Sequence, residues 1–123
     1  MTEIALSDQA RDQFDNREIL RAAELLSHAH VNVISWSGTS SGWLGFDADE
    51  RLCRGISDAT GIPACTSVLA LNEIFTRTGV TRFALVTPYR DDVEAAIARN
   101  YAASGFVSGT AVNSAGCAAS SAR

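Results

Sequence analysis

The chain has 123 residues, of which 46% are hydrophobic and 20% are charged, and its formal net charge is −4. This composition is typical of a globular protein and excludes a disordered one, and the length allows a single domain. Basic residues are scattered among acidic ones and no apolar run reaches about 20 residues, which excludes a nucleic-acid-binding stripe and a membrane-spanning helix.

The first predicted element in chain order is a helix over residues 17–29, with Asn16 as its N-cap. The stretch before it, MTEIALSDQARDQ, lacks the basic-then-apolar order of a signal peptide, so we expect a cytoplasmic protein. A buried strand follows at 31–36. Residues 38–45 contain three glycines and several hydroxyl side chains and are predicted to form a loop. The apolar face of the predicted helix at 17–29 consists of Ile19, Leu20, Ala23, Leu26 and Ala29.

The middle of the chain predicts two helices joined by a short strand. The first helix covers 47–60 and is expected to end at Gly61, and a brief parallel strand follows at 62–65. The second helix is expected to have Thr66 or Ser67 as its N-cap and to end at Gly79.

The last predicted pair is a strand over 82–87 and a helix that begins at Asp91 or Asp92 and ends at Gly105. Because helices and strands alternate along the chain, we predict an α/β fold of three layers, a parallel sheet with helices on both faces. This domain covers residues 1–107. Residues 108–123 are rich in Ala, Ser and Gly, and we expect them to be a disordered, low-complexity tail.

Polar loops follow two of the predicted strands. One contains GTSSG from Gly38 onward, and the other, TPYRDD, contains Tyr89. Ligands bind beyond the carboxyl ends of strands in a parallel sheet, so both loops are candidates for a site. Gly38 lets a ligand approach the backbone, and Thr39 and Ser40 each offer a hydroxyl and an N–H to a carboxylate, a phosphate or an oxyanion. The alternative, a strand exit with hydroxyls facing water, is equally consistent with this stretch.

Three further residues near the ends of predicted strands each have a chemical and a structural interpretation. Tyr89 can donate its phenol hydrogen to the same anion, or it can pack on the loop surface. Cys65 can be a thiol activated by the following helix start, or a buried small apolar residue. Arg90 can pair with an anion, although Asp91 and Asp92 are closer to it in sequence.

The cysteines and histidines lack the spacing of a metal site. Cys53, Cys65 and Cys117 form no CxxC pair, and His28 and His30 lie at a predicted helix end with no carboxylate nearby. An odd number of cysteines argues against a disulfide framework. No P-loop, GxGxxG or GxSxG pattern is present, so we expect no metal and no nucleotide cofactor.

Three stretches carry a resemblance to a known family: VNVISWSGTSSGW, RLCRGISDATGIPACTSVLALNEIFTRTGVTRFALVTPYRDDV and ARNYAASGF. From about residue 31 to 106, the chain resembles the Asp/Glu racemase superfamily. Within it, the most similar group is that of the maleate cis–trans isomerases and arylmalonate decarboxylases. The resemblance implies two similar α/β halves with the active site between them, a small carboxylate as substrate, and no cofactor.

The resemblance also assigns roles to the strand-end residues. Racemases and isomerases of the superfamily use one cysteine from each half, and the first opens a CTS motif where this chain has Gly38. Glycine there resembles the decarboxylase branch, which keeps only the second cysteine, and it would leave room for a bulky or differently placed substituent. Thr39, Ser40 and Tyr89 match residues that hold a substrate carboxylate.

The chain departs from the family pattern in its extent. The second half with its SCGG-type cysteine motif is missing, Cys117 matches no motif, and the family's first strand would precede Met1. We therefore predict about half of the family fold, an incomplete enzyme acting on a small (di)carboxylate through an oxyanion-binding loop, with its catalytic residue unknown and little turnover alone. Two alternatives stay open. One is a racemase or isomerase that uses Cys65, and the other is a non-catalytic binding or assembly module that pairs with a second copy or a complementing chain.

Overall fold

The computed structural model describes residues 16–109 and 112–113, which form five helices and six short strands. Residues 1–15, 110–111 and 114–123, the last range including Cys117, lie outside the described part. In chain order the elements are α1 Asn16–Ser27, β1 Ile34–Trp36, α2 Ser41–Leu44, α3 Phe46–Thr60, β2 Ala64–Thr66, α4 Ser67–Thr78, β3 Arg82–Phe83, β4 Val86–Thr87, α5 Asp91–Ala103, β5 Val107–Ser108 and β6 Val112–Asn113.

Three helix ends agree with the capping residues that the sequence predicts, whereas Asn16, the predicted N-cap of α1, is the first residue of that helix. Thr66 is the N-cap of α4, and its side chain accepts a hydrogen bond from the backbone N–H of Leu69 at 3.1 Å. Helices α3 and α4 end at Gly61 and Gly79, which both adopt a left-handed conformation with φ of 70°. Glycine adopts this conformation without the steric penalty of a side chain, so both helices stop where predicted.

The strands pair in parallel, and the predicted α/β class is confirmed. They form three separate two-stranded ladders, β1 with β2, β3 with β5, and β4 with β6. The strand predicted over 82–87 is divided into β3 and β4, which pair with different partners. Its apolar and β-branched residues favour extended structure throughout, but the hydrogen-bonding partner changes within the segment.

The segment predicted as a loop over 38–45 contains the short helix α2. Backbone N–H groups of Gly42 and Trp43 donate to the carbonyls of Thr39 and Ser40 at 3.1 Å, and these bonds close the turn. Ser41 and Gly42 are buried, and the Gly42 carbonyl accepts a hydrogen bond from the Asn100 side chain at 2.9 Å. Contacts with α5 therefore order a segment whose composition alone favours a loop.

Two apolar clusters form the core. The first lies between α1, α3 and the β1–β2 ladder, and the second lies around α5. Trp36 packs against the first cluster and Trp43 against the second, so the segment between these two tryptophans connects the clusters. The buried members of the first cluster are Ala23, Ile34, Leu52 and Ile56, and those of the second are Val93, Ile97 and Tyr101.

The predicted boundary between a domain at 1–107 and a tail at 108–123 stays a prediction. Strand β6 at Val112–Asn113 pairs with β4, while residues 110, 111 and 114–123 lie outside the described residues. None of the helices in the described part of the chain is long and apolar enough to span a membrane.

Candidate functional site

Thr39 and Tyr89 meet across the two strand-end loops. The hydroxyl oxygens of these residues lie 2.6 Å apart, and either one can be the donor. Thr39 follows β1 and is exposed, whereas Tyr89 follows β4 and is half-buried. The structure therefore brings two of the predicted site residues together at a surface that a ligand can reach.

Tyr89 is held from two sides. Its ring packs edge-on against Trp43, with ring centroids 5.1 Å apart and an interplanar angle of 67°. Its backbone N–H donates to Thr87 Oγ1 at 3.4 Å. Edge-to-face aromatic contacts and a backbone hydrogen bond limit the orientations of the ring, so the phenol oxygen keeps its place beside Thr39.

A buried carboxylate lies below the Tyr89 loop. Thr87 Oγ1 donates to Glu94 Oε1 at 2.5 Å, and the two residues are only 9% and 6% exposed. The sequence analysis did not single out Glu94. A signal was present, because Glu94 is three and seven positions before Ile97 and Tyr101 and thus shares their apolar helical face.

A second threonine at a strand end has the same kind of partner. Thr66, the last residue of β2, is completely buried and donates from Oγ1 to Asp49 Oδ2 at 2.5 Å. Asp49 is itself buried, on α3, and the sequence analysis also missed it. The two carboxylates each accept a hydrogen bond from a strand-end hydroxyl, which helps to satisfy groups that are costly to bury alone.

Ser40 occupies a different position from Thr39. It is buried, it precedes α2, and its side chain makes no capping hydrogen bond to that helix. It lines a cavity of about 190 Å³ together with Trp36, Leu44, Asp49 and Leu52. No contact places Ser40 directly against the Thr39–Tyr89 pair among the hydrogen bonds of the described residues.

The next hydroxyl in the loop, that of Ser41, is more deeply buried. Ser41 is 1% exposed, and within residues 16–109 its Oγ has no hydrogen-bond partner. A buried polar group without a partner is uncommon in folded proteins and lowers stability. Ser41 was not among the predicted site residues, although it lies in the same GTSSG stretch.

Gly38 lies against a tryptophan. A Cβ atom added at Gly38 would be 2.4 Å from Trp36 Nε1 and 2.5 Å from Trp36 Cε2. Non-bonded heavy atoms prefer separations of about 3.5–4.0 Å, so no side chain fits there while the indole stays in place. The room that the absent side chain leaves at Gly38 is taken by the indole in this structure.

The charges around Tyr89 do not supply a free cationic site. Arg90 Nε lies 3.5 Å from Asp92 Oδ1, and the first turn of α5 carries Asp91, Asp92 and Glu94. These carboxylates oppose the attraction of the helix N-terminus for a second anion. An anion bound at Thr39 and Tyr89 would therefore depend mainly on neutral hydroxyl donors.

The cysteines that the structure describes lie in and beside the β1–β2 ladder. Cys65 is the middle residue of β2, in register with Ser35 of β1, and is half-buried. Cys53 lies on α3, and burial, with smaller contributions from Asp49 and Cys65, raises the pKa of its thiol. A raised pKa keeps the Cys53 thiol protonated at neutral pH, which makes it a poor nucleophile.

No metal-binding group emerges from the described residues. Between residues 16 and 109, no three His, Cys, Asp or Glu side chains are arranged to hold a metal ion. His28 and His30 lie in the turn after α1, and both are exposed.

Comparison with known proteins gives one family and several similar structures. The family model described as arylmalonate decarboxylase matches residues 2–117. An unliganded arylmalonate decarboxylase is 28% identical with a TM-score of 0.72, and the match covers 80% of this chain and 43% of that one. A variant of the maleate isomerase Iso from Pseudomonas putida, with maleate, is 25% identical with a TM-score of 0.70, and the match covers 90% of this chain and 46% of that one.

These similarities confirm the resemblance on which the sequence analysis relied and the α/β fold that it predicted. The chain spans less than half the length of the solved structures that it matches. No curated protein sequence matches it.

Proposed function

The chain belongs to the arylmalonate decarboxylase family, and on that basis we propose that its Thr39–Tyr89 pair binds one carboxylate of a small dicarboxylic acid. The observation that carries this proposal is the 2.6 Å approach of the two hydroxyl oxygens from separate strand-end loops. Each hydroxyl carries one hydrogen, and in the bond between Thr39 and Tyr89 one hydroxyl donates its hydrogen to the other. A carboxylate oxygen placed between the loops would accept from both.

The chemistry that such a pair can assist is the loss of CO₂ from a malonate. Cleavage of the bond between the central carbon and one carboxylate releases CO₂ and leaves an electron pair that spreads into the remaining carboxylate as an enediolate. Thr39 and Tyr89 would donate hydrogen bonds to the oxygens on which this charge develops. A proton donor then delivers a proton to the central carbon, which completes the reaction.

We assign the proton donor to no residue of this chain. The family resemblance places it on the cysteine of an SCGG-type motif, and these 123 residues contain no such motif. Cys53 is disfavoured because burial raises the pKa of its thiol and because it lies on α3 near Asp49. The proposed function of the chain alone is therefore cofactor-independent carboxylate binding with little turnover, and a decarboxylase activity would need a complementing segment.

A calorimetric titration with malonate tests the proposal, with the neutral malonamide as the matched control ligand. Malonate is expected to bind and malonamide is expected to bind at least about tenfold more weakly, because hydrogen bonds to a charged acceptor are the stronger ones. Equal affinity for the two ligands, or no binding of malonate, would reject carboxylate binding at this site.

A second candidate function, assembly with another chain, is favoured by two observations. Leu71 and Ile74 are exposed apolar residues on α4, at 41% and 55%. Each strand within the described residues pairs with one neighbour, which leaves edges open to a further strand. Light scattering after gel filtration tests this candidate, because a strictly monomeric chain across a hundredfold range of concentration would argue against self-assembly.

A further inference from the structure

Trp36 and Gly38 form a steric pair at the start of the candidate site. Three atoms of the indole, Nε1, Cε2 and Cζ2, would lie within 2.4–2.6 Å of a Cβ at position 38. Alternate residues of an extended segment point to the same side, so a side chain at 38 would emerge where the Trp36 side chain already lies. The glycine is thus required by the tryptophan, and the tryptophan fills the volume that the glycine leaves.

The indole is not free to move aside at low cost. Trp36 is the last residue of β1 and is in register with Thr66, which is completely buried. Its ring is half-buried and packs against the apolar cluster that contains Ile34 and Leu52. Displacing a packed aromatic ring would open a void in this cluster and expose apolar surface.

The same indole borders the loop that carries the proposed ligand. Gly38 immediately precedes Thr39, and the indole of Trp36 occupies the volume beside Gly38. A ligand that places its carboxylate at Thr39 therefore has the indole on the Gly38 side. A substituent on the central carbon of the ligand, if it points to that side, would contact the packed indole ring of Trp36.

We propose that Trp36 is a specificity-determining residue of the carboxylate site, and that it restricts the ligands to malonates whose central carbon carries hydrogen or a methyl group. This inference rests on the proposed function and adds the class of substituent that the site accepts. The packed indole excludes a planar ring from the volume beside Gly38, whereas a hydrogen or methyl group needs little of that volume.

The test compares the affinities for methylmalonate and phenylmalonate in the unaltered chain and in two variants, Trp36→Leu and Trp36→Ala. Leucine keeps apolar packing with a smaller side chain, so it provides a folded variant if alanine destabilises the cluster too far. We expect the ratio of the two affinities to shift toward phenylmalonate by at least about tenfold in the variants. A ratio that stays within about twofold of the unaltered chain overturns the inference.

Failure of the proposed function has a different signature. If the unaltered chain and both variants bind none of the malonates, carboxylate binding is rejected and the specificity role of Trp36 with it. If malonate and methylmalonate bind but the variants leave the ratio unchanged, the proposed function stands and the role of Trp36 alone is rejected.

The steric pair can be tested separately through stability, with Gly42→Ala as the matched control. A Cβ at Gly42 would meet the Ile97 side chain at 3.5 Å, which is an ordinary contact. Gly38→Ala is expected to lower the melting temperature by at least about 5 °C, and Gly42→Ala by much less. Gly38→Ala in the Trp36→Leu background is expected to regain at least half of that loss. Equal losses in both backgrounds would show that the indole does not exclude a side chain at 38.

Discussion

Thr39 and Tyr89 share a hydrogen bond of 2.6 Å, although fifty positions separate them in the sequence. The bond joins the loop after β1 to the loop after β4, and it lies at a surface where Thr39 is exposed. Both residues are among those that the sequence analysis predicts to hold a substrate carboxylate. Because the contact crosses between two ladders, it links the two loops that a ligand would have to bridge.

Removal of either hydroxyl is expected to weaken malonate binding without unfolding the chain. Tyr89→Phe and Thr39→Val should each lower the affinity by about tenfold, because each deletes one hydrogen bond to a charged ligand. Calorimetric titration measures the affinity, and thermal melting checks that stability is little changed. Tyr101→Phe is the control, since Tyr101 lies in the core around α5, and an equal loss of affinity in that variant would contradict the assignment.

Thr87 and Glu94 are expected to stabilise the fold through the hydrogen bond between them, so removing one partner should cost more stability than removing both. Glu94→Leu leaves the buried Thr87 hydroxyl without its acceptor and should lower the free energy of unfolding by about 1–3 kcal/mol. The double variant Thr87→Val with Glu94→Leu should be less destabilised than Glu94→Leu alone, because the buried hydroxyl that has lost its acceptor is then removed as well. Urea unfolding measures both, and a double variant at least as unstable as the single one would refute the coupling.

Thr66 is expected to tolerate serine but not valine. Valine removes the N-cap bond to the Leu69 N–H and the donor to the buried Asp49 carboxylate, for a combined loss of about 2–4 kcal/mol. Serine keeps the hydroxyl that makes both bonds and should cost about 1 kcal/mol or less. Urea unfolding of the two variants, with the exposed Ser67→Ala as control, checks this, and similar losses for serine and valine would show that the hydroxyl is unimportant.

Ser41→Ala is expected to stabilise the chain. The buried Ser41 Oγ has no hydrogen-bond partner in the described residues, and alanine is also the better helix former. The free energy of unfolding should rise by up to about 1 kcal/mol, whereas Ser37→Ala, at an exposed position, should change it by about 0.5 kcal/mol or less. A clear loss of stability in Ser41→Ala would mean that the hydroxyl has a partner, such as a bound water, that stabilises the fold.

The Cys53 thiol is expected to make the free energy of unfolding fall as the pH rises into the alkaline range. Burial, followed by the effects of Asp49 and Cys65, raises the pKa of the folded thiol above its unfolded value, so the folded chain holds this proton more tightly. The resulting stability is fully present below the unfolded thiol pKa of about 8.5 and is lost as pH rises through the folded pKa. Urea unfolding between about pH 7 and 9.5 should show a decline that is shallower in Cys53→Ala.

A second group with a raised pKa, Tyr101, titrates at higher pH than the thiol, and Cys53→Ala separates the two contributions. Burial also raises the pKa of Tyr101 in the folded chain, but the unfolded phenol has a pKa of about 10, so Tyr101 adds little to a decline below about pH 9. An alkaline decline that is equally steep with and without Cys53 would exclude this thiol as its source.

The sequence by itself determined four of the five described helices, three of their ends and the parallel α/β class. Thr66 caps α4, and Gly61 and Gly79 end helices at the predicted positions, because capping and left-handed glycines are local properties of a few neighbouring residues. The rule that ligands bind at the carboxyl ends of parallel strands also predicts a site at the loops of Thr39 and Tyr89.

Only the tertiary structure decided how these elements contact one another. The split of the segment 82–87 into two strands, the buried Thr87–Glu94 bond and the Trp36 indole beside Gly38 depend on side chains and backbones brought together by packing. Local propensity contains no information about which distant segment supplies a hydrogen-bond partner or fills a volume, since those interactions form only when the chain has collapsed around its two apolar clusters.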